Sequence, residues 1–214
     1  DIDGALPSIE EARVMILQLE IPMETVHYAA ALAAASKTKV ILNPAPARIL
    51  PRSLLERVDI LIANETEVLV LTGAEELGVH TASAACRPLL EAGVETVITT
   101  LGRDGALVTS GAGASRVPGF RVRAIDPTGA GDTFAGAVAC AIAEGKDLEA
   151  AGYARARHAL PHRRRPVPPL RALPGVAPVA GALHLRLHVD DGDRRARLSR
   201  DAGAADGDPI CLVL

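Results

Sequence analysis

Along residues 1–153, short apolar runs alternate with longer stretches of helical period. Arg13 to Leu19 is an apolar run that closes at Glu20. Pro22 then opens a helical stretch from Met23 to Ala35, proline being favoured in a first helical turn. Lys39 to Leu42 reads as a strand ending in the loop Asn43-Pro44-Ala45-Pro46, and Pro51 to Arg57 as a short helix. Val58 to Ala63 is a further strand, with Asn64-Glu65-Thr66-Glu67 opening a helix to about Leu71. Gly73 and Gly78 mark a loop, Thr81 to Glu91 a helix that Gly93 stops, and Val94 to Thr99 a strand. After a turn at Leu101-Gly102-Arg103-Asp104-Gly105, Ala106 to Thr109 and Ser115 to Val117 predict a small hairpin about Gly111 and Gly113. Gly129 to Ala143 predicts a helix with Gly145 as its stop, and Leu148 to Tyr153 the start of another.

Alternation of this kind, with strands apolar almost throughout, predicts an α/β fold whose mostly parallel sheet is covered on both faces. In such sheets a ligand lies at the carboxyl ends of the strands. Glu20, Asn43, Asn64, Thr100 and Asp126 all follow a predicted strand end, so the pattern gathers five polar residues at one rim.

The strongest chemical signal is Asp126-Pro127-Thr128-Gly129-Ala130-Gly131-Asp132, directly before an apolar helical stretch. Unpaired N–H groups at a helix start carry partial positive charge and suit a phosphoryl group. Glycines let the backbone approach that group closely. Asp132, beside the anion site, can accept the proton of an attacking hydroxyl, and phosphoryl transfer needs little beyond positioning, charge stabilisation and such a base. The Lys-Ser/Thr of a Walker A loop is missing, which argues against a P-loop nucleotide hydrolase. Asn64 and Glu67 have two readings: a capping box at a helix start, or polar groups near a metal–phosphate complex, where magnesium keeps waters and needs few carboxylates. His27 and His80 have no ligand-like company and receive no role.

Composition divides the chain near residue 154. Residues 1–153 hold 12 basic and 20 acidic side chains, a net of −8, whereas residues 154–214 hold 11 Arg and 6 Asp, a net of +5. The second part lacks Lys, Glu, Asn, Gln, Thr, Met, Phe, Tyr and Trp, and only Ala182 to Val189 is patterned. A disordered basic tail, a small second domain and an out-of-frame translation of GC-rich DNA compete for it; the codon skew favours the last. The whole-chain charge of −3 gives no reason to expect nucleic acid. No apolar run approaches the roughly 20 residues of a membrane span, and no signal segment opens the chain. Three widely spaced cysteines fit reduced thiols in a cytoplasm, the expected compartment, better than a disulfide framework or a zinc site.

Taken together, L-Q-L-E-I-P (17–22), N-P-A-P-A (43–47), N-E-T-E (64–67), T-L-G-R-D-G (100–105), V-P-G-F (117–120) and D-P-T-G-A-G-D-T-F (126–134) resemble the ribokinase/phosphofructokinase-B sugar kinase family. The resemblance spans most of residues 8–153, with Pro127 standing where Thr is usual, and within the family it points to the ribokinase branch. It implies a three-layer α/β/α fold and ATP-dependent phosphorylation of a sugar's primary hydroxyl, D-ribose before fructose or adenosine; a non-catalytic nucleotide-binding module is the alternative from another class. Asp132 matches the catalytic base and a sugar contact, and Gly129, Ala130 and Gly131 match the anion hole. Asn64 and Glu67 match the N-x-x-E motif tied to magnesium and phosphate, and Asn64, Thr100 and Gly102 the nucleotide site. Glu20 matches a carboxylate on ribose. Asp126, with the Thr128 backbone, matches part of a monovalent-cation site, usually potassium.

ATP, Mg2+ and K+ are thus the implied cofactors. The family's N-terminal Gly-Gly motif, most of its sugar contacts and the lid that makes its homodimer are not matched in this chain. Its C-terminal adenine-pocket segment is replaced by the Arg/Pro-rich stretch. The expectation is therefore a partial core over 1–153, a tail over 154–214, and little or no kinase activity for these 214 residues alone.

Overall fold

The computed structural model describes residues 2–77, 80–119 and 129–146, together with the backbone of three strands between 186 and 213. Asp126, Thr128, Phe120 and the helix expected from Leu148 lie outside the described residues.

The strands are β1 (Val14–Leu17), β2 (Lys39–Leu42), β3 (Ile60–Asn64), β4 (Thr96–Thr100), β5 (Ala106–Ser110), β6 (Gly113–Val117), β7 (Arg186–Val189), β8 (Ala196–Ser199) and β9 (Ile210–Val213). The helices are α1 (Leu6–Glu11), α2 (Met23–Ala35), α3 (Arg52–Leu55), α4 (Glu65–Thr72), α5 (Ala82–Glu91) and α6 (Ala130–Ala143). One sheet of seven strands runs in the order β6-β5-β4-β3-β2-β1-β9. β1 to β4 and β9 pair in parallel, while β5 and β6 form an antiparallel hairpin at one edge.

Successive residues of a strand point to opposite faces, and here both faces are apolar. Met15, Leu17, Val40, Leu42, Leu61, Ala63 and Val97 enter one core, against Val26, Ala29, Ala30 and Ala33 of α2, Leu54 of α3, Val68 of α4 and Leu89 of α5. Val14, Ile16, Ile41, Ile60, Ile62 and Ile98 enter the other, against Ala135, Val138, Ala139, Cys140 and Ala143 of α6. Bulky isoleucines on the sheet thus meet small residues on α6, which lets the helix lie close. This is the expected three-layer arrangement.

The helix expected from Met23 to Ala35 and the strand expected from Lys39 to Leu42 have those bounds. Pro22 occupies the N-cap of α2, and its buried residues at 26, 29, 30 and 33 follow the helical repeat. Three elements carry no expectation: α1, β8, and β9 beside β1. Within 154–214, where only Ala182 to Val189 looked patterned, β7 and β8 form a separate hairpin and β9 joins the main sheet.

α6 runs antiparallel to β1. Arg13, just before β1, donates from Nη1 to the Ala143 carbonyl at the end of α6 over 2.7 Å. That places the start of α6 at the carboxyl ends of β1 to β4. No helix among the described residues is long and apolar enough to cross a membrane.

Candidate active site

At this rim lies a cleft of about 220 Å³, lined by Asn43, Ala45, Ile62, Ala63, Asn64, Glu67, Thr100, Gly129, Ala130, Gly131 and Asp132. Each strand delivers its polar residue where its apolar run stops: Asn43 after β2, Asn64 at the end of β3, Thr100 at the end of β4. The α6 loop supplies the rest.

Gly129 is the N-cap of α6, with φ +72° in the left-handed region that favours glycine. The first bond back onto the loop is from Thr133 N–H to the Gly129 carbonyl, 2.9 Å. The N–H groups of Ala130, Gly131 and Asp132 precede it and have no acceptor within the helix. They open onto the cleft and suit an anion. Asp132 is exposed. Its Oδ1 accepts from Gln18 Nε2 at 3.4 Å.

Asn64 and Glu67 form the capping box that is the first of their two readings. Asn64 Oδ1 accepts the Glu67 N–H at 2.9 Å, and Glu67 Oε2 accepts the Asn64 N–H at 2.8 Å, a complete capping box. The same two side chains line the cleft. Burial pushes the Glu67 carboxyl above its ordinary range; the Asn64 bonds pull it down and the negative charge of Asp132 pushes it up.

Thr100 reaches the cleft because the chain turns sharply after β4. Leu101 N–H bonds the Gly105 carbonyl at 2.8 Å. Gly105 has φ +96°, and a Cβ there would stand 2.0 Å from the Val117 carbonyl oxygen. The T-L-G-R-D-G turn is thus pressed against the end of β6.

The structure brings Asn64, Glu67, Thr100, Gly129, Ala130, Gly131 and Asp132 together. Glu20 is exposed beyond β1, and Gly102 lies in the turn after β4; neither lines this cleft. Two further residues belong to the site. Asn43, seen in the sequence only as a rim residue, is 7% exposed, and its Oδ1 has no hydrogen-bond partner. A buried acceptor without a donor costs about 1–3 kcal/mol. Gln18 carries no local signal; its partner is 114 residues away.

Residues 5–155 match the pfkB family of carbohydrate kinases. This chain belongs to that family. Among pfkB relatives, it is 41% identical to the ribokinase of Haemophilus influenzae over 143 residues, 67% of this chain and 47% of that protein. It is 39% identical to the deoxyribokinase of Salmonella typhi over 152 residues, 71% of this chain and 50% of that one. The structure of Arabidopsis thaliana ribokinase complexed with ribose and ATP superimposes with a TM-score of 0.67 at 31% identity, over 70% of this chain and 49% of that one. The chain spans about half the length of the curated relatives it matches.

Proposed function

We propose that the cleft transfers the γ-phosphoryl group of ATP to the primary hydroxyl of a sugar, D-ribose first. The observation that carries this reading is the placement of Asp132 at the mouth of an N–H-lined loop, across one cleft from Asn64, Glu67 and Thr100. Asp132 accepts the hydroxyl proton as the oxygen's electron pair forms the new O–P bond. The bond from phosphorus to the bridging oxygen breaks, and its pair leaves on ADP. The N–H groups of Ala130, Gly131 and Asp132 stabilise the charge on the phosphoryl oxygens. Asn64 and Thr100 hold the nucleotide side, with Gly102 in the adjoining turn, and Glu20 lies on the sugar side.

The lining fits Mg2+. It holds two carboxylates and no Lys or Arg, so the only charged side chains a polyphosphate would meet there are negative. No group of three or more His, Cys, Asp or Glu gathers among the described residues, which suits an ion that keeps most of its waters. Glu67, through water, would hold it. When bound, Mg2+ neutralises phosphate charge. Asp126 and Thr128 are proposed for K+, the cytoplasm as the compartment, and a homodimer for the whole enzyme. Deoxyribose enters beside fructose and adenosine as an alternative acceptor, because a deoxyribokinase is among the relatives.

Transfer from ATP to ribose, deoxyribose, fructose and adenosine, with Mg2+ and with or without K+, tests this. It is run on the 214-residue chain and on a chimera carrying the part of the Haemophilus influenzae ribokinase that this chain does not cover. Ribose turnover by the chimera, with little or none by the chain alone, is expected. A chimera that binds ATP and phosphorylates none of the four would replace the kinase by a non-catalytic nucleotide-binding module.

A further inference from the structure

We propose that the side of β1 turned away from β2 is the surface on which the remaining half of a pfkB kinase docks, by adding a strand in parallel, and that β9 holds this place in the present chain and excludes that half. The inference rests on membership of the pfkB family and not on the phosphoryl-transfer reading. β9 lies along β1 in parallel, with Val14 opposite Ile210, Met15 opposite Cys211, Ile16 opposite Leu212 and Leu17 opposite Val213. It comes from well beyond residues 5–155, the part that matches the family. The matched part by itself therefore leaves this side of β1 without a strand. The chain spans about half the length of the relatives it matches, so a second body of similar size meets this one in a whole kinase.

The two ends of the sheet differ in what they can receive. At one end β6 is mostly exposed, pairs antiparallel and carries Arg116, which donates to the Asp104 carbonyl at 3.2 Å. Exposure and charge of this kind blunt an edge against further pairing. At the other end β1 is Val-Met-Ile-Leu, buried at every position. Met15 and Leu17 enter the core that holds α2, and Val14 and Ile16 the core that holds α6. A strand that is apolar on both faces and pairs in parallel belongs inside a sheet, not at its margin. α6 lies against β9 as well as β1, so the helix layer reaches past the β1 edge. A strand added in parallel there also brings its carboxyl end to the rim that carries the cleft. β1 has only two sides for hydrogen bonding, and β2 takes one of them. On the second side, β9 and a strand of the other half exclude each other.

Amide hydrogen exchange read by mass spectrometry tests this on the 214-residue chain and on a chimera that keeps residues 154–214 and carries, ahead of residue 1, the part of the Haemophilus influenzae ribokinase that this chain does not cover. In the chain, residues 210–213 are expected to be protected together with β1. Successive N–H groups of a strand point to opposite sides, so one of Cys211→Pro and Leu212→Pro removes a bond to β1 and the other removes none. That one variant is expected to speed exchange in β1 by about tenfold or more, with β2 and β3 unchanged. In the chimera, residues 210–213 are expected to exchange freely while β1 stays protected, because the added half has taken the place of β9. Protection of β9 and β1 together in the chimera overturns the proposal, since the added half then docks elsewhere. Free exchange at 210–213 in the chain, or β1 exchange equal in the parent and both proline variants, overturns it as well, since β9 then does not hold the edge. None of these results depends on whether the chimera transfers phosphate.

Discussion

Asn64 carries two roles that a pair of substitutions separates. Its Oδ1 is committed to the Glu67 N–H at 2.9 Å, and its backbone N–H to Glu67 Oε2. Its Nδ2 protons are left for a ligand in the cleft. Asn64→Ala removes both functions, whereas Asn64→Ser restores the cap, since serine and asparagine cap about equally well. Loss of an N-cap costs about 1 kcal/mol, within a range of about 0.5–2. Asn64→Ala is therefore expected to lose about that much in urea denaturation, and Asn64→Ser only a few tenths. The reciprocal bond from the Asn64 N–H survives in both, which keeps the loss from exceeding a single cap. For ATP the order changes. Serine is too short to present an amide, so both variants lose one ligand hydrogen bond, about 0.5–1.5 kcal/mol, or roughly 2- to 13-fold in Kd. Titration calorimetry with MgATP reads this. If Asn64→Ser is as unstable as Asn64→Ala and binds MgATP as well as the wild type, the cap and the cleft have been assigned to the wrong atoms.

Three further outcomes follow from the same geometry. Gly105→Ala places a methyl 2.0 Å from the Val117 oxygen at φ +96°, so it should cost at least about 1–3 kcal/mol; an unchanged urea midpoint would contradict the close packing of the β4 turn on β6. Glu67 has a raised folded pKa, so its ionisation opposes folding. Below its ordinary value of 4.5 it is protonated in both states and contributes nothing; as pH rises from there through the folded value, stability falls, and above it the loss is complete. Glu67→Gln keeps an acceptor for the Asn64 N–H and should gain on the wild type as pH rises above 4.5, whereas parallel stability curves would remove the burial argument. Chelating Mg2+ should weaken ATP binding by about tenfold or more, the scale of a few unit charges repelling across a solvated cleft; equal affinity with and without EDTA would mean that no cation bridges the carboxylates and the phosphates.

Local chemistry decides how much of this is legible in the sequence. α2 and β2 are readable to their ends because Pro22 starts one and an apolar run bounded by charge and by Asn43-Pro44 defines the other. Asn64 to Glu67 is readable as a cap because both partners lie within four residues. α1 is not: Leu-Pro-Ser-Ile-Glu-Glu is six residues long, with Ile9 and Leu6 too few to show a period. β9 follows an Ala-, Gly- and Asp-rich stretch, and its four residues gain meaning only from pairing with β1. The site divides the same way. Strand ends and the Gly129–Asp132 loop announce themselves, but which of Glu20, Asn43 and Gly102 face one cleft depends on how the chain turns after each strand. Gln18 becomes visible only once α6 is laid along β1, with Arg13 bonding one end and Gln18 the other.

The most direct measurement is phosphoryl transfer to ribose by the chimera carrying Asp132→Asn, alongside MgATP binding by the same protein. Loss of a general base typically costs about 10²–10⁴-fold. The account predicts a fall of that order in kcat with MgATP affinity within a few-fold of the parent. Transfer that survives the substitution at near-parental rate would show that another group takes the hydroxyl proton, and that the loop at Gly129–Asp132 is not where the chemistry occurs.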